Sequence, residues 1–201
     1  MEGIRGGPQA AVRDPELFEE FYRRHVDAMT SFVARRVVDP HTVADLTAEI
    51  FLAVLDSAHT YRPGRGSETA WLYGIARNVV SSERRRVARE TVRDRRISGR
   101  RLLEADDIAR LEDKLDAESP GRRALAALER LPAGERAVLE LIAVDQLTLA
   151  EAAAALGISQ VAARVRLHRA RKSLREQTDS AAPDPRGTHL SYVTKTTGGE
   201  A

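Results

Sequence analysis

The 201-residue sequence predicts an all-α fold of two small helical domains, an N-terminal helical bundle and a C-terminal helix-turn-helix, joined by a charged flexible linker. Apolar residues recur at helical spacing through most of the chain, and no alternating strand pattern of useful length appears. Prolines and capping residues punctuate that pattern where helices should begin and end. Between about Glu90 and Glu118 apolar residues thin out and charge becomes dense, a composition that cannot build a core.

The elements follow in order. "DPELFEEFYRRHVDAMTSFVARRVV" carries Leu17, Phe21, Val26, Met29, Phe32 or Val33, and Val37 on a helical stripe, with Asp14 as N-cap and Pro15 at the first helical position. Asp39-Pro40 ends this helix and opens a second, with Val43, Leu46, Ile50, Phe51, Val54 and Leu55. "SAHTYRPGRGSET" reads as a loop. A third helix carries Ala70, Trp71, Leu72, Ile75, Ala76, Val79 and Val80 and ends in arginines, with Trp71 assigned to the core stripe. The linker is expected to hold at most a helical turn or two near "ARLEDKL". After it come "SPGRRALAALERL" with a Ser cap, then "PAGERAVLELIAVD", then a short "LTLAEAAAALG" with Thr148 and Glu151 in a capping box. The last helix, "SQVAARVRLHRARKSLREQ", is capped by Ser159. These signals divide the chain into 14–90, a linker 91–118, 119–177 and a tail 178–201 expected to be disordered.

Composition excludes several classes. Without cysteine there is no disulfide, thiol catalysis or Cys-ligated zinc. The histidines are scattered without ligand spacing, no G-x-S-x-G or Walker loop is present, and "GRGSET" lacks the third Gly and the preceding strand of a dinucleotide loop. No catalytic residue, metal site or cofactor is therefore expected. No apolar run reaches the length of a membrane span and "MEGIRGGPQAAVRD" lacks a signal-peptide core, so a cytoplasmic protein is expected. The net charge is only +2, but the charge is blocked: basic from Arg84 to Arg101, acidic from Glu104 to Glu118, basic again in the last helix. Blocks of this kind suit phosphates on one side and a basic surface on the other.

A short helix, a Gly turn and a longer basic helix make a helix-turn-helix signal. At 100° per residue, Ala163, Leu167, Ala170 and Leu174 form one inward stripe of the last helix. Arg164, Arg171 and Arg175 flank it on one side, Arg166 and Arg169 on the other, and Val161, Val165, His168 and Lys172 point away. Flanking arginines can hold phosphates, and outward residues near the helix start can touch base edges, the valines at thymine methyls. The pattern alone leaves open a solvated charged face, or a protein-binding surface built on the two valines.

"LTLAEAAAALGISQVAARVRLHRARKSLRE" resembles the C-terminal promoter-reading helices of the extracytoplasmic-function sigma factors of bacterial RNA polymerase. "ADLTAEIFLAVL" and "AWLYGIARNVVSSERRR" are similar to that family's N-terminal domain. The resemblance implies a transcription initiation factor that binds core RNA polymerase, reads −10 and −35 promoter DNA and helps to open it. It implies polymerase-clamp contact through "DLTAEIF", with Asp45, Glu49 and Phe51 as site residues. It implies −10 contact through Tyr61, Arg62, Arg65, Arg77, Asn78, Arg84 and Arg85, with Arg86 a further phosphate candidate. It implies −35 contact through Ser159, Gln160, Val161, Arg164, Val165, Arg166, His168, Arg169 and Lys172. Core polymerase, promoter DNA and an anti-sigma factor are the implied partners. The family often starts its recognition helix Gly-Thr-Val where this chain has Val161, Ala162 and Ala163, and has Gln where this chain has Ala48. In the family the linker follows the polymerase's RNA path, where the run Glu104 to Glu118 would imitate nucleic acid. The competing reading is a free-standing helix-turn-helix regulator that never joins polymerase, for which the N-terminal motifs would have no use.

Overall fold

The computed structural model describes residues 7–90 and 105–181, and every regular element among them is helical. The expectations for 91–104 and 182–201, including Glu104, the arginines from Arg93 to Arg101 and most of the tail, lie outside the described residues. A single turn that the sequence pattern did not announce, α1 (Pro8–Ala11), buries Pro8 and Ala11. α2 (Pro15–Ala34) starts where expected, because the Asp14 carboxylate accepts from the Glu16 N–H at 2.9 Å. α3 (Pro40–Ser57) starts in the same way, with Asp39 accepting from the Thr42 N–H at 2.8 Å. Two 3₁₀ turns, Ala58–Thr60 and Pro63–Arg65, shape the loop before α4 (Glu68–Glu90). Helices α2, α3 and α4 enclose Phe21, Met29, Phe32, Val33, Ile50, Val54 and Leu72 without solvent contact.

The second half of the linker differs from the expectation. α5 (Ala105–Ala117) is a formed helix, because Leu111 and Leu115 lie four residues apart on one face and pack on α2 and α3. α6 (Ser119–Ala127) follows almost without a break. Ser119 is therefore its first helical residue, not its cap, and its hydroxyl accepts from Arg123 at 2.8 Å. A 3₁₀ turn, Leu128–Arg130, leads to α7 (Ala133–Leu139). The expected continuation of α7 is wound as a π turn over Glu140–Val144 and closed by Gln146 at φ 60°. A non-glycine residue in the left-handed region is uncommon. Here it lets the chain turn sharply so that Asp145 points inward while Gln146 stays exposed.

α8 (Leu149–Ala155) has the predicted capping box on Thr148 and Glu151. It ends on Gly157 at φ 64°, where the Ile158 and Gly157 N–H groups donate back to the Ala153 and Ala154 carbonyls, the paired closure that favours glycine. α9 (Gln160–Ala181) completes the chain. Two small clusters close the C-terminal half: Val138 with Ala153 and Ala163, and Leu128, Leu131 and Leu139 with Ala170. The main core crosses between halves, with Leu141, Leu147 and Ala152 joining Leu72, Tyr73 and Ala76.

Candidate nucleic-acid interface

α9 presents the face that its periodicity predicts. Ala163 and Ala170 are fully buried, Leu167 and Leu174 lie half-buried against the small clusters, and Ser159 caps the helix by accepting from the Ala162 N–H at 3.1 Å. Gln160, Arg164, His168, Arg169 and Lys172 are exposed. Val161 is 70% exposed and Val165 44%, so neither contributes to a core of this chain. Lys172 pairs loosely with Glu176 one turn on, at 3.7 Å. Arg166 departs from the group. It is half-buried and lies against α7, with its guanidinium about 3.5 Å from where a Cβ on Gly134 would stand.

The loop and helix expected at the −10 DNA are more enclosed. Tyr61 packs on Trp71 with ring centroids 5.6 Å apart, and the Trp71 indole donates to Thr60 Oγ1 at 3.1 Å. Trp71 is thus not the core residue its stripe suggested: one side touches the core and the other supports the loop. Arg62, Arg65, Asn78, Arg84 and Arg85 are all exposed, and Arg62 is also held by the His59 and Tyr61 carbonyls. Arg86 is matched by Glu83 at 2.7 Å. Burial lowers the Arg77 pKa, opposed by nearby Glu140, because Arg77 faces α7 in a cleft shared with Arg36, Arg84 and Arg136. The N-terminus of α4 is tied to α2 by Glu68, which meets His25 at 2.8 Å and Arg24 at 3.2 Å.

On α3, Asp45 and Glu49 are exposed as expected. Phe51 is instead a core residue, its ring tilted against Tyr22 at 4.6 Å and edge-on to Phe21 at 6.3 Å, because its position on the helix faces α2. The outward apolar residue of that segment is Leu52, 55% exposed. It borders a groove of about 560 Å³ between α2 and α3, whose far wall is Asp107, Arg110 and Leu111 of α5.

Two family descriptions match this frame: Sigma-70 region 2 over residues 21–90 and Sigma-70 region 4 over residues 121–174. The chain is 32% identical to the RNA polymerase sigma factor CarQ of Myxococcus xanthus, over 88% of this chain and 94% of CarQ. It is 31% identical to the ECF RNA polymerase sigma factor SigX of Bacillus subtilis strain 168, over 82% of this chain and 84% of SigX. The chain belongs to the extracytoplasmic-function sigma factors. Among solved structures it is similar to CnrH in complex with the cytosolic domain of CnrY, with a TM-score of 0.55 and 27% identity over 88% of this chain and 96% of that one. The sigma factor directs RNA polymerase to promoters, and its partners are core polymerase and promoter DNA. Among its described residues no helix is long and apolar enough to cross a membrane.

Sequence reasoning missed one constellation in this sigma factor. The Asp145 side chain, with no solvent exposure, receives Arg36 through two bonds of 2.6 and 3.1 Å and Arg35 at 3.0 Å. Arg35 also reaches Glu118 at 2.9 Å, Arg36 lies 3.7 Å over the Phe32 ring, and Arg122 donates to the Ala34 carbonyl at 3.1 Å. Buried charges are tolerated only when paired in this way. The same surroundings raise the Tyr73 pKa, mainly through burial and then through Asp145. Arg35 and Asp145 stand 110 positions apart, and no local spacing signal joins them.

Proposed function

We propose that α9 reads the −35 element, with Arg164, Arg169 and Lys172 on phosphates or guanine and Val161 and Val165 against base methyls. The observation that carries this reading is the sharp division of α9, with Ala163 and Ala170 fully buried and Val161 open to solvent. Tyr61, Arg65, Asn78, Arg84 and Arg85 serve the −10 element, where an aromatic in a basic loop can stack an unpaired base. Asp45, Glu49 and Leu52 on the outer side of α3 meet the polymerase clamp. The functional units follow the limits 14–90 and 119–177. The protein works in the cytoplasm by binding alone, without a reaction of its own. An anti-sigma factor is its regulator, as CnrY accompanies CnrH in the similar structure.

Run-off transcription with purified core polymerase and genomic fragments tests the reading. Specific start sites that need the protein are expected. Sequence-specific DNA binding without polymerase-dependent initiation would instead support the free-standing regulator.

A further inference from the structure

The loop that begins at Tyr61 is anchored at both ends, and the anchors come from distant parts of the chain. At its far end Ser67 accepts from the Ala70 N–H at 3.1 Å and caps α4, while Glu68 is tied to α2. The near end is held by α1, which lies ahead of the region 2 match that starts at residue 21. The Gln9 side-chain amide donates to the Tyr61 carbonyl at 3.0 Å, 52 positions away. A Cβ on Gly7 would stand 3.5 Å from Cε1 of the Tyr61 ring, an ordinary packing distance. The same ring rests on Trp71, and the Trp71 indole returns to Thr60, the residue before Tyr61.

α1 is short but firmly seated. Pro8 is fully buried, Ala11 is buried beside it, and the turn packs on α2. Pro8 sets φ at the first helical position and has no N–H to satisfy. The Gly7 carbonyl accepts from the Ala10 and Ala11 N–H groups at 2.8 and 3.2 Å. Gln9 is exposed, so it adds nothing to this small core. The Tyr61 carbonyl also accepts from Arg62 at 3.0 Å, so it does not need Gln9 to be satisfied. What the Gln9 bond adds is a fixed direction for the backbone at Tyr61. A crevice of about 1120 Å³ beside it, walled by Leu17, Leu55, His59 and Pro63, leaves the loop room to swing when the bond is lost.

We propose that Gln9, on the turn α1, is a positioning residue for −10 recognition, which fixes where the Tyr61 ring stands and so makes the chain ahead of region 2 part of promoter choice. The consequence rests on the reading of Tyr61 as a −10 contact. Gln9 touches no base and acts through Tyr61. A ring already held in place has less freedom to lose when it meets a base, and it cannot follow a base presented differently.

Trp71 is the only tryptophan of the chain, so its emission reports on the loop that covers it. Gln9→Met keeps the side-chain length and removes the donor. In the full chain it should leave the helical circular dichroism unchanged, shift Trp71 emission to longer wavelength and make it easier to quench with acrylamide. With core polymerase, transcription is compared on a promoter found by run-off and on single-base variants of its −10 and −35 elements. Gln9→Met should bind core polymerase as wild type does and keep its −35 selection. Its −10 selection should fall about three- to tenfold, the weight of one hydrogen bond. Tyr61→Ala should lose at least as much, and adding Gln9→Met to it should cost nothing more. Unchanged Trp71 emission and −10 selection in Gln9→Met overturn the proposal, and so do losses that simply add in the double variant. If Tyr61→Ala itself leaves −10 selection intact, the −10 reading of Tyr61 falls together with the consequence for promoter choice, while Trp71 emission still decides whether Gln9 holds the loop.

Discussion

The two surfaces proposed to face DNA in this sigma factor are built from the same materials and end in opposite states. On α9 the buried side is a strip of alanines and leucines, and everything opposite it, from Ser159 to Lys172, is open apart from Arg166. On α4 and its loop, the residues proposed for DNA share their surroundings with α7 and α8: Arg77 faces Glu140, and Gly66 and Ser67 meet Ala154 and Glu151. Helical periodicity decides which residues leave their own domain's core. It does not decide whether another domain then covers them.

Substitutions separate the two surfaces by size of effect. The largest is expected on the covered side. Phe32 is fully buried, meets Tyr73 edge-on at 5.4 Å and lies under Arg36, so Phe32→Ala removes core volume and undermines the ion cluster together. A loss of about 3–5 kcal/mol is expected from the shift of the urea unfolding midpoint. A cost near zero would show that this region is loosely packed.

On the open side, Arg164→Ala should leave the unfolding midpoint unchanged and cost about 1–3 kcal/mol of binding at a −35 site, measured by competition between matched and altered duplexes. Equal loss on every sequence would make Arg164 a phosphate contact and leave base reading to the valines. Ser159→Ala removes the cap that holds the first turn of that face and should lower stability by about 1 kcal/mol, seen in thermal melting followed by circular dichroism.

The smallest effect is one of pH and tests the seam on the covered side. The Thr148 hydroxyl first, then the Thr148 N–H and Ser67, hold the Glu151 carboxyl below its ordinary 4.5, against an opposing push from burial. A depressed folded-state pKa means a stabilising contribution that is complete above the unfolded value and is lost as pH falls through the folded one. The α8 cap and the Ser67 contact should therefore hold from neutral pH down to the ordinary carboxylate range and weaken only below it. Helicity followed during acid titration checks this, with Glu151→Gln as the reference that lacks the acid step. Loosening at pH 6 would point to another group.

Local sequence sets helices α2, α3, α4, α8 and α9, the caps at Asp14, Thr148 and Ser159, the break at Asp39-Pro40, the turn at Gly157 and the outward face of α9. Each of these depends on residues within a few positions of one another, where propensity, capping and the 3.6-residue period act directly. It also pointed to the family, because two motif sets stand in the right order. Tertiary structure alone decided the rest. Phe51 is core because α2 lies against that side of α3, Trp71 stands at a boundary because Tyr61 folds over it, and the second half of the linker is helix because α2 and α3 offer Leu111 and Leu115 a surface. Asp145 reads in the chain as an ordinary acidic residue at a helix end. It becomes the buried centre of the interface only when a π turn and one left-handed residue aim it at two arginines more than a hundred positions away. Pairing at that range depends on how whole helices pack, which no local pattern encodes.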